Sequence, residues 1–137
     1  MIISSKIACT LFQINSAQKD TCVVYLHSLQ GNRKEALTIQ STVEQEFDLC
    51  CFDFIGSGQS GGLFCTFGSR EAIDLKYVLS RLKDQLGYKS FILWGRSTGA
   101  STIINYLATT LHGPKIEAIV LDSPFANIKD FVEKYIL

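Results

Sequence analysis

Phe91-Ile92-Leu93-Trp94-Gly95-Arg96-Ser97-Thr98-Gly99 is the stretch on which the fold turns. Its four apolar residues read as a short buried strand. From about Ser97 to His112 the pattern is helical, and Gly113-Pro114 stops it. Between strand and helix lies G-x-S-x-G. A sharp passage from strand into helix puts the serine in a strained backbone conformation. The flanking Gly95 and Gly99 remove the side chains that would clash there. The Ser97 hydroxyl then projects at the carboxyl end of the sheet, where ligands of open α/β folds bind. The first N–H groups of the helix lack intrahelical acceptors and favour negative charge, so the Thr98 N–H is a natural oxyanion donor. Five letters alone recur by chance; the strand and helix around them make the signal specific.

Outward from this segment the alternation repeats. Ile7–Ile14 reads as an edge strand, and Cys22-Val23-Val24-Tyr25-Leu26 as a buried parallel strand, with a polar, turn-like stretch at 15–20 between them. After Gly31-Asn32 the spacing of Ala36, Ile39, Val43 and Phe47 predicts a helix, and Phe47–Phe54 a further strand. A glycine-rich loop, Gly56–Gly68, leads into a helix capped by Ser69, lined by Ala72, Leu75, Leu79, Leu82 and Leu86, and ended by Gly87. Downstream, Ala118-Ile119-Val120-Leu121 is a last strand, and Asn127 opens a helix that uses Ile128, Phe131, Val132, Tyr135 and Ile136. Alternating strands and helices imply an α/β fold: one domain, 1–137, on a mostly parallel sheet with helices on both faces.

Composition narrows the functions. Hydrophobic residues make up 47% of the 137 and charged residues 19%, which argues against disorder. Lysine plus arginine and aspartate plus glutamate number 13 each, so no basic surplus meets the phosphates of a nucleic acid or an anionic membrane surface. No stretch approaches the roughly 20 apolar residues that span a bilayer, so no stable membrane insertion is expected. No signal peptide is read before the first apolar run, where only Lys6 is charged. The five cysteines, Cys9, Cys22, Cys50, Cys51 and Cys65, are odd in number and lack metal-site spacing. Four of them fall in apolar runs. They are expected to be reduced, buried thiols of a cytoplasmic protein.

Two further segments carry a family resemblance. Tyr25-Leu26-His27-Ser28-Leu29-Gln30-Gly31-Asn32-Arg33 is similar to the His-Gly-containing oxyanion loop of α/β-hydrolases. Asp53-Phe54-Ile55-Gly56-Ser57-Gly58-Gln59-Ser60 resembles their Asp-x-x-Gly-x-Gly-x-Ser turn. With Trp94–Gly99 and Leu121-Asp122-Ser123-Pro124-Phe125, four ordered motifs resemble serine aminopeptidase/prolyl-oligopeptidase-like hydrolases along nearly the whole chain. The resemblance implies that Ser97 is the nucleophile of a serine hydrolase and that the amides of Leu29 and Thr98 form the oxyanion hole. It implies cleavage of an ester, thioester or amide of a small-molecule or peptide acyl substrate, with no metal or organic cofactor. Ser28 departs from the glycine usual at its position and adds a side chain to the loop.

Other features have plainer readings. Gly56, Gly58 and Gly61 spell G-x-G-x-x-G, but the helix starts only near Ser69 and Asp74 lies inside it, so a turn is expected rather than a dinucleotide site. Asp53 is expected to fix that turn through side-chain bonds to backbone, and Arg96 to form a supporting salt bridge. Trp94 and Tyr25 are expected in the core.

A serine nucleophile needs a base and, as a rule, an acid that orients it. In α/β-hydrolases the chain order is serine, acid, histidine. The one histidine after Ser97 is His112, 15 positions along the same helix, hence about 22 Å away at about 1.5 Å per residue. A makeshift Ser97–His27–Asp122 triad is conceivable, because family topology flanks the nucleophile strand with the strands that end in His27 and Asp122. The competing readings make His27 a loop-structuring residue and Asp122 a turn or cap residue. The chain is therefore expected to be the nucleophile-bearing N-terminal part of the fold, from a truncated gene model, a split gene or a pseudogene. Ala118–Leu121 would then be an exposed apolar edge open to self-association. Two functions follow: a serine hydrolase that is incomplete as it stands, or a non-catalytic hydrolase-like binding module.

Overall fold

In the computed structural model, which describes residues 6–14 and 20–135, the elements run β1 (Cys9–Phe12), β2 (Thr21–Leu26), α1 (Leu37–Val43), β3 (Asp48–Phe52), α2 (Ser69–Leu86), β4 (Ser90–Arg96), α3 (Thr98–Thr109), β5 (Lys115–Asp122) and α4 (Ile128–Tyr135). The turn expected at 15–20, apart from Asp20, lies outside the described residues, as does Ile136. The sheet order is β1-β3-β2-β4-β5; β1 is antiparallel to β3 and every other pair is parallel.

The central strands β2, β3 and β4 are apolar on both faces because both faces are covered. Side chains alternate across a strand, so Val24, Leu26, Cys50, Phe52 and Leu93 meet Leu75, Leu79 and Ile103 of α2 and α3 on one side. On the other, Val23, Tyr25, Leu49 and Cys51 pack with Ala36 and Val43, and Trp94 lies partly buried against them.

Several boundaries differ from the sequence reading, each for a local reason. The first strand is the shorter Cys9–Phe12. The helix after Asn32 begins with a 3-10 turn, Arg33–Ala36, in which the Asn32 side chain accepts the Lys34 N–H at 3.0 Å. It ends at Val43, leaving Phe47 in the turn before β3. Gly68, not Ser69, is the N-cap of α2; its φ of 113° is a left-handed value that favours glycine. The cap is the Glu71 carboxylate, which accepts from the N–H groups of Gly68 (2.8 Å) and Thr66 (2.7 Å). Leu86 is 56% exposed, and Val78 joins the buried stripe instead. α3 stops at Thr109, short of His112, because Thr110 turns extended. Thr109 bonds back to the Asn105 carbonyl at 2.7 Å, and paired β-branched residues weaken a helix end. Cys22, Cys50 and Cys51 are buried as expected, but Cys9 is exposed. Asn127 caps α4 by accepting the Asp130 N–H at 2.9 Å.

β5 is the outer strand of the described sheet, with Ile119 43% and Val120 37% exposed. Among the described residues no helix is long and apolar enough to cross a membrane.

The Gly56–Gly68 loop is a turn, as its sequence implies, and α2 clips both its ends. Glu71 holds the far end; Asp74, buried, accepts the Ile55 N–H at 3.0 Å at the near end. Burial pushes the Asp74 carboxyl up to about 6, with Glu71 adding to the rise while the Ile55 bond and Arg70 oppose it. The folded chain therefore keeps this proton over a window, from about pH 4 to about pH 6, in which the unfolded chain has released it. Asp74's contribution to stability falls as pH rises through that window. Asp74→Asn keeps an acceptor for Ile55 and removes the buried charge. It is expected to stabilise the protein by roughly 1–3 kcal/mol at pH 7.5 and to change little at pH 4, as urea midpoints at the two pH values will read. A lower midpoint at pH 7.5 would contradict this.

Candidate active site

β4 passes into α3 through a single residue. Ser97 has φ 51° and ψ −112°, a left-handed conformation at a non-glycine position. Such a residue costs of order 1–3 kcal/mol and persists only where its surroundings hold it. Two backbone bonds do so: the Ser97 N–H donates to the Asp122 carbonyl at 2.7 Å, and the Ser97 carbonyl accepts from the Ser101 N–H at 3.0 Å. The glycines on either side are required by close approach. A Cβ on Gly95 would sit 2.5 Å from the Gly99 carbonyl carbon, and a Cβ on Gly99 2.6 Å from that of Leu26. Ser97 is half-buried, and its hydroxyl is bonded to nothing among the described residues.

The topology gathers the remaining groups around this bend. Leu26 pairs with Gly95 and Arg96 with Asp122, so the loops after β2, β4 and β5 leave the same end of three adjacent parallel strands, about 4.8 Å apart. The loop after β2 carries Leu29 in a turn closed by Gly31 N–H to Ser28 carbonyl at 3.0 Å. As first residue of α3, Thr98 has an N–H with no intrahelical acceptor. Beside α3 opens a cleft of about 230 Å³ whose lining includes Ser101, Ile104, Phe125 and Ile128. Neither this cleft nor a larger groove between α2 and β1 is lined by Ser97.

His27 does not complete a triad. Its Nε2 accepts the Phe54 N–H at 3.1 Å, so the ring proton is on Nδ1, which donates to the Ser28 carbonyl at 2.7 Å. Burial lowers its basicity, opposed by the Ser28 bond, and no lone pair is left for a serine proton. It braces the loop after β2 against the end of β3. Asp122 contributes its carbonyl to the bend; its half-exposed carboxylate pairs with Arg96 at 3.5 Å, the supporting bridge expected of that arginine. His112 lies beyond the far end of α3, exposed. The thiols offer no rival nucleophile at neutral pH: burial pushes Cys22 up to about 12 and Cys51 and Cys65 to about 11. Among the described residues no three or more His, Cys, Asp or Glu side chains are grouped to hold a metal ion.

Asp53 fixes its turn as expected, accepting the Gln59 N–H at 2.8 Å, and does more. It also accepts the Arg33 N–H at 2.6 Å and pairs with the Arg33 guanidinium, tying the two loops together. Arg33 stands in the motif read for the loop, but nothing in its spacing pointed to Asp53. Glu35, whose carboxylate reaches back to Ser28 and Tyr25, escaped the sequence reading altogether.

A mostly parallel sheet in this order, with a strained serine at its carboxyl end between a strand and a helix, is the architecture of a hydrolase of the α/β type. The chain belongs to the alpha/beta hydrolase fold family, whose model matches residues 21–135. It is 28% identical over 119 residues to the monoacylglycerol lipase of Saccharomyces cerevisiae, a match covering 82% of this chain and 26% of the lipase. It is 27% identical over 112 residues to a lysophosphatidylserine lipase of Danio rerio, covering 79% and 29% respectively. Its fold superposes on an esterase of Pyrococcus furiosus with a TM-score of 0.68 at 26% identity, over 88% of this chain and 52% of that one. The chain thus spans about half of that solved esterase and little more than a quarter of either lipase.

Proposed function

We propose that Ser97 is the nucleophile of a serine hydrolase that cleaves acyl esters of small molecules, with the Leu29 and Thr98 amides as oxyanion donors. The observation that carries this reading is the bend itself: a serine at φ 51° with an unengaged hydroxyl, at the head of a helix. Strain of this kind clusters at active sites. The Ser97 oxygen attacks the acyl carbon and gives up its proton to a base that is not His27, and that proton leaves with the departing alkoxide as an alcohol. Water then splits the acyl-serine ester, its hydroxyl going to the acid and its proton back to Ser97. The negative oxygen formed in each step is met by two N–H groups, Leu29's and the one heading α3. The relatives named above are lipases and an esterase, which supports an ester substrate. The four sequence motifs support the serine aminopeptidase-like branch.

A second reading, a hydrolase-like binding module that pairs through β5, is favoured by the commitment of both His27 nitrogens and by exposed Ile119 and Val120. A fluorophosphonate probe separates the two. The wild-type chain is expected to be labelled and Ser97→Ala to lose at least about 90% of the signal, the loss of a sole nucleophile. Equal labelling of both, or of neither, removes the catalytic reading.

A further inference from the structure

Glu35 makes no appearance in the chemistry above, yet its carboxylate lies inside the loop that carries Leu29. One oxygen accepts the Tyr25 hydroxyl at 2.8 Å, and the other accepts the Ser28 hydroxyl at 2.7 Å. The Ser28 N–H points between them, 3.3 Å from each. Gly31 closes over the same carboxylate: a Cβ there would lie 3.3 Å from the Glu35 carboxyl carbon and 3.0 Å from Ser28 Oγ. Tyr25 is itself fixed, buried in the sheet core. A rigid strand residue thus anchors a carboxylate, and the carboxylate anchors the turn. The Ser28 N–H is spent on Glu35, while the next N–H, that of Leu29, has no acceptor among the described residues.

We infer that Glu35 is the positioning residue of the oxyanion loop: with Ser28 and Tyr25 it forms a three-residue clamp that consumes one amide and leaves the neighbouring Leu29 N–H free for substrate. This rests on the proposed role of Leu29. It also gives Ser28, which replaces the family's usual glycine, a task. A carboxylate suits the clamp because all three donors point at it and it can only accept. Glutamine would keep one accepting oxygen. Its NH₂ could be met by a hydroxyl, which can turn to accept, but not by the Ser28 N–H.

Two measurements on the full chain test the clamp with Glu35→Ala and Glu35→Gln. Amide hydrogen exchange by NMR is expected to speed up at Ser28 by at least about fivefold in Glu35→Ala, the size of one lost hydrogen bond. The gain should be smaller in Glu35→Gln, with Val23 and Val24 unchanged as the check on folding. Unchanged Ser28 exchange overturns the clamp whether or not Ser97 reacts. The rate of Ser97 labelling by a fluorophosphonate is expected to fall about 10- to 100-fold in Glu35→Ala, in the inactivation step and not in probe affinity, and to recover in part in Glu35→Gln. Labelling of Glu35→Ala at the wild-type rate overturns its positioning role. If the wild-type chain shows no Ser97-dependent labelling, the nucleophile reading fails, and exchange at Ser28 decides the clamp by itself.

Discussion

Gly99→Ala is expected to destabilise the protein by about 3 kcal/mol or more, at the upper end of overpacking costs, and to displace Ser97 with it. Alanine is intrinsically the better helix residue by up to ~1 kcal/mol, so propensity alone predicts the opposite sign. Sterics decide. The added methyl would lie 2.6 Å from the Leu26 carbonyl carbon and 2.9 Å from the His27 oxygen. These are backbone atoms at the end of a central strand, with no side chain that could turn aside. Relief comes by sliding α3 away from β2, and the head of α3 is where Ser97 and Thr98 sit. Chemical denaturation will read the stability. A variant as stable as wild type would mean that α3 does not press on β2 as described.

The second large effect is expected at Asp53→Ala. The Asp53 side chain is fully buried, and its partners are the Arg33 guanidinium, the Arg33 N–H and the Gln59 N–H. Removing it leaves a mostly buried cation without its counter-charge and two N–H groups without acceptors, which costs about 3–5 kcal/mol. Arg33→Ala is costly for the mirror reason, since it leaves a buried carboxylate short of its counter-charge. The double variant is expected to lose at least ~1 kcal/mol less than the sum of the single losses. Additive losses would show that the ion pair does not link the loop after β2 to the turn after β3.

Much of this architecture was legible because it is written in features that sequence displays directly. Apolar runs at Cys22–Leu26 and Phe91–Trp94 marked central strands, and Gly95 and Gly99 marked a place where backbones touch. What escaped notice depends on where one long side chain reaches. Glu71 caps α2 from inside the helix, so Ser69 looked like the cap although the chain turns one residue earlier, at Gly68. Glu35 bonds a residue seven positions back because a 3-10 turn folds it there, and no periodicity records that. The strand position of His27 left a makeshift triad and a loop-structuring role both open; its two hydrogen bonds decide for the loop. The α3 boundary slipped because the helical pattern runs to His112, whereas Thr109 and Thr110 end the helix first.

The central claim is that one backbone bend holds the Ser97 hydroxyl out for attack, and peptide mapping of a fluorophosphonate adduct tests it most directly. Trypsin cuts after Arg96 and Lys115 to release a peptide that begins at Ser97 and also holds Ser101. Its fragment ions distinguish the two serines. The account predicts one adduct per chain, on Ser97; an adduct on Ser101 or Ser123, or none on this chain, would contradict it.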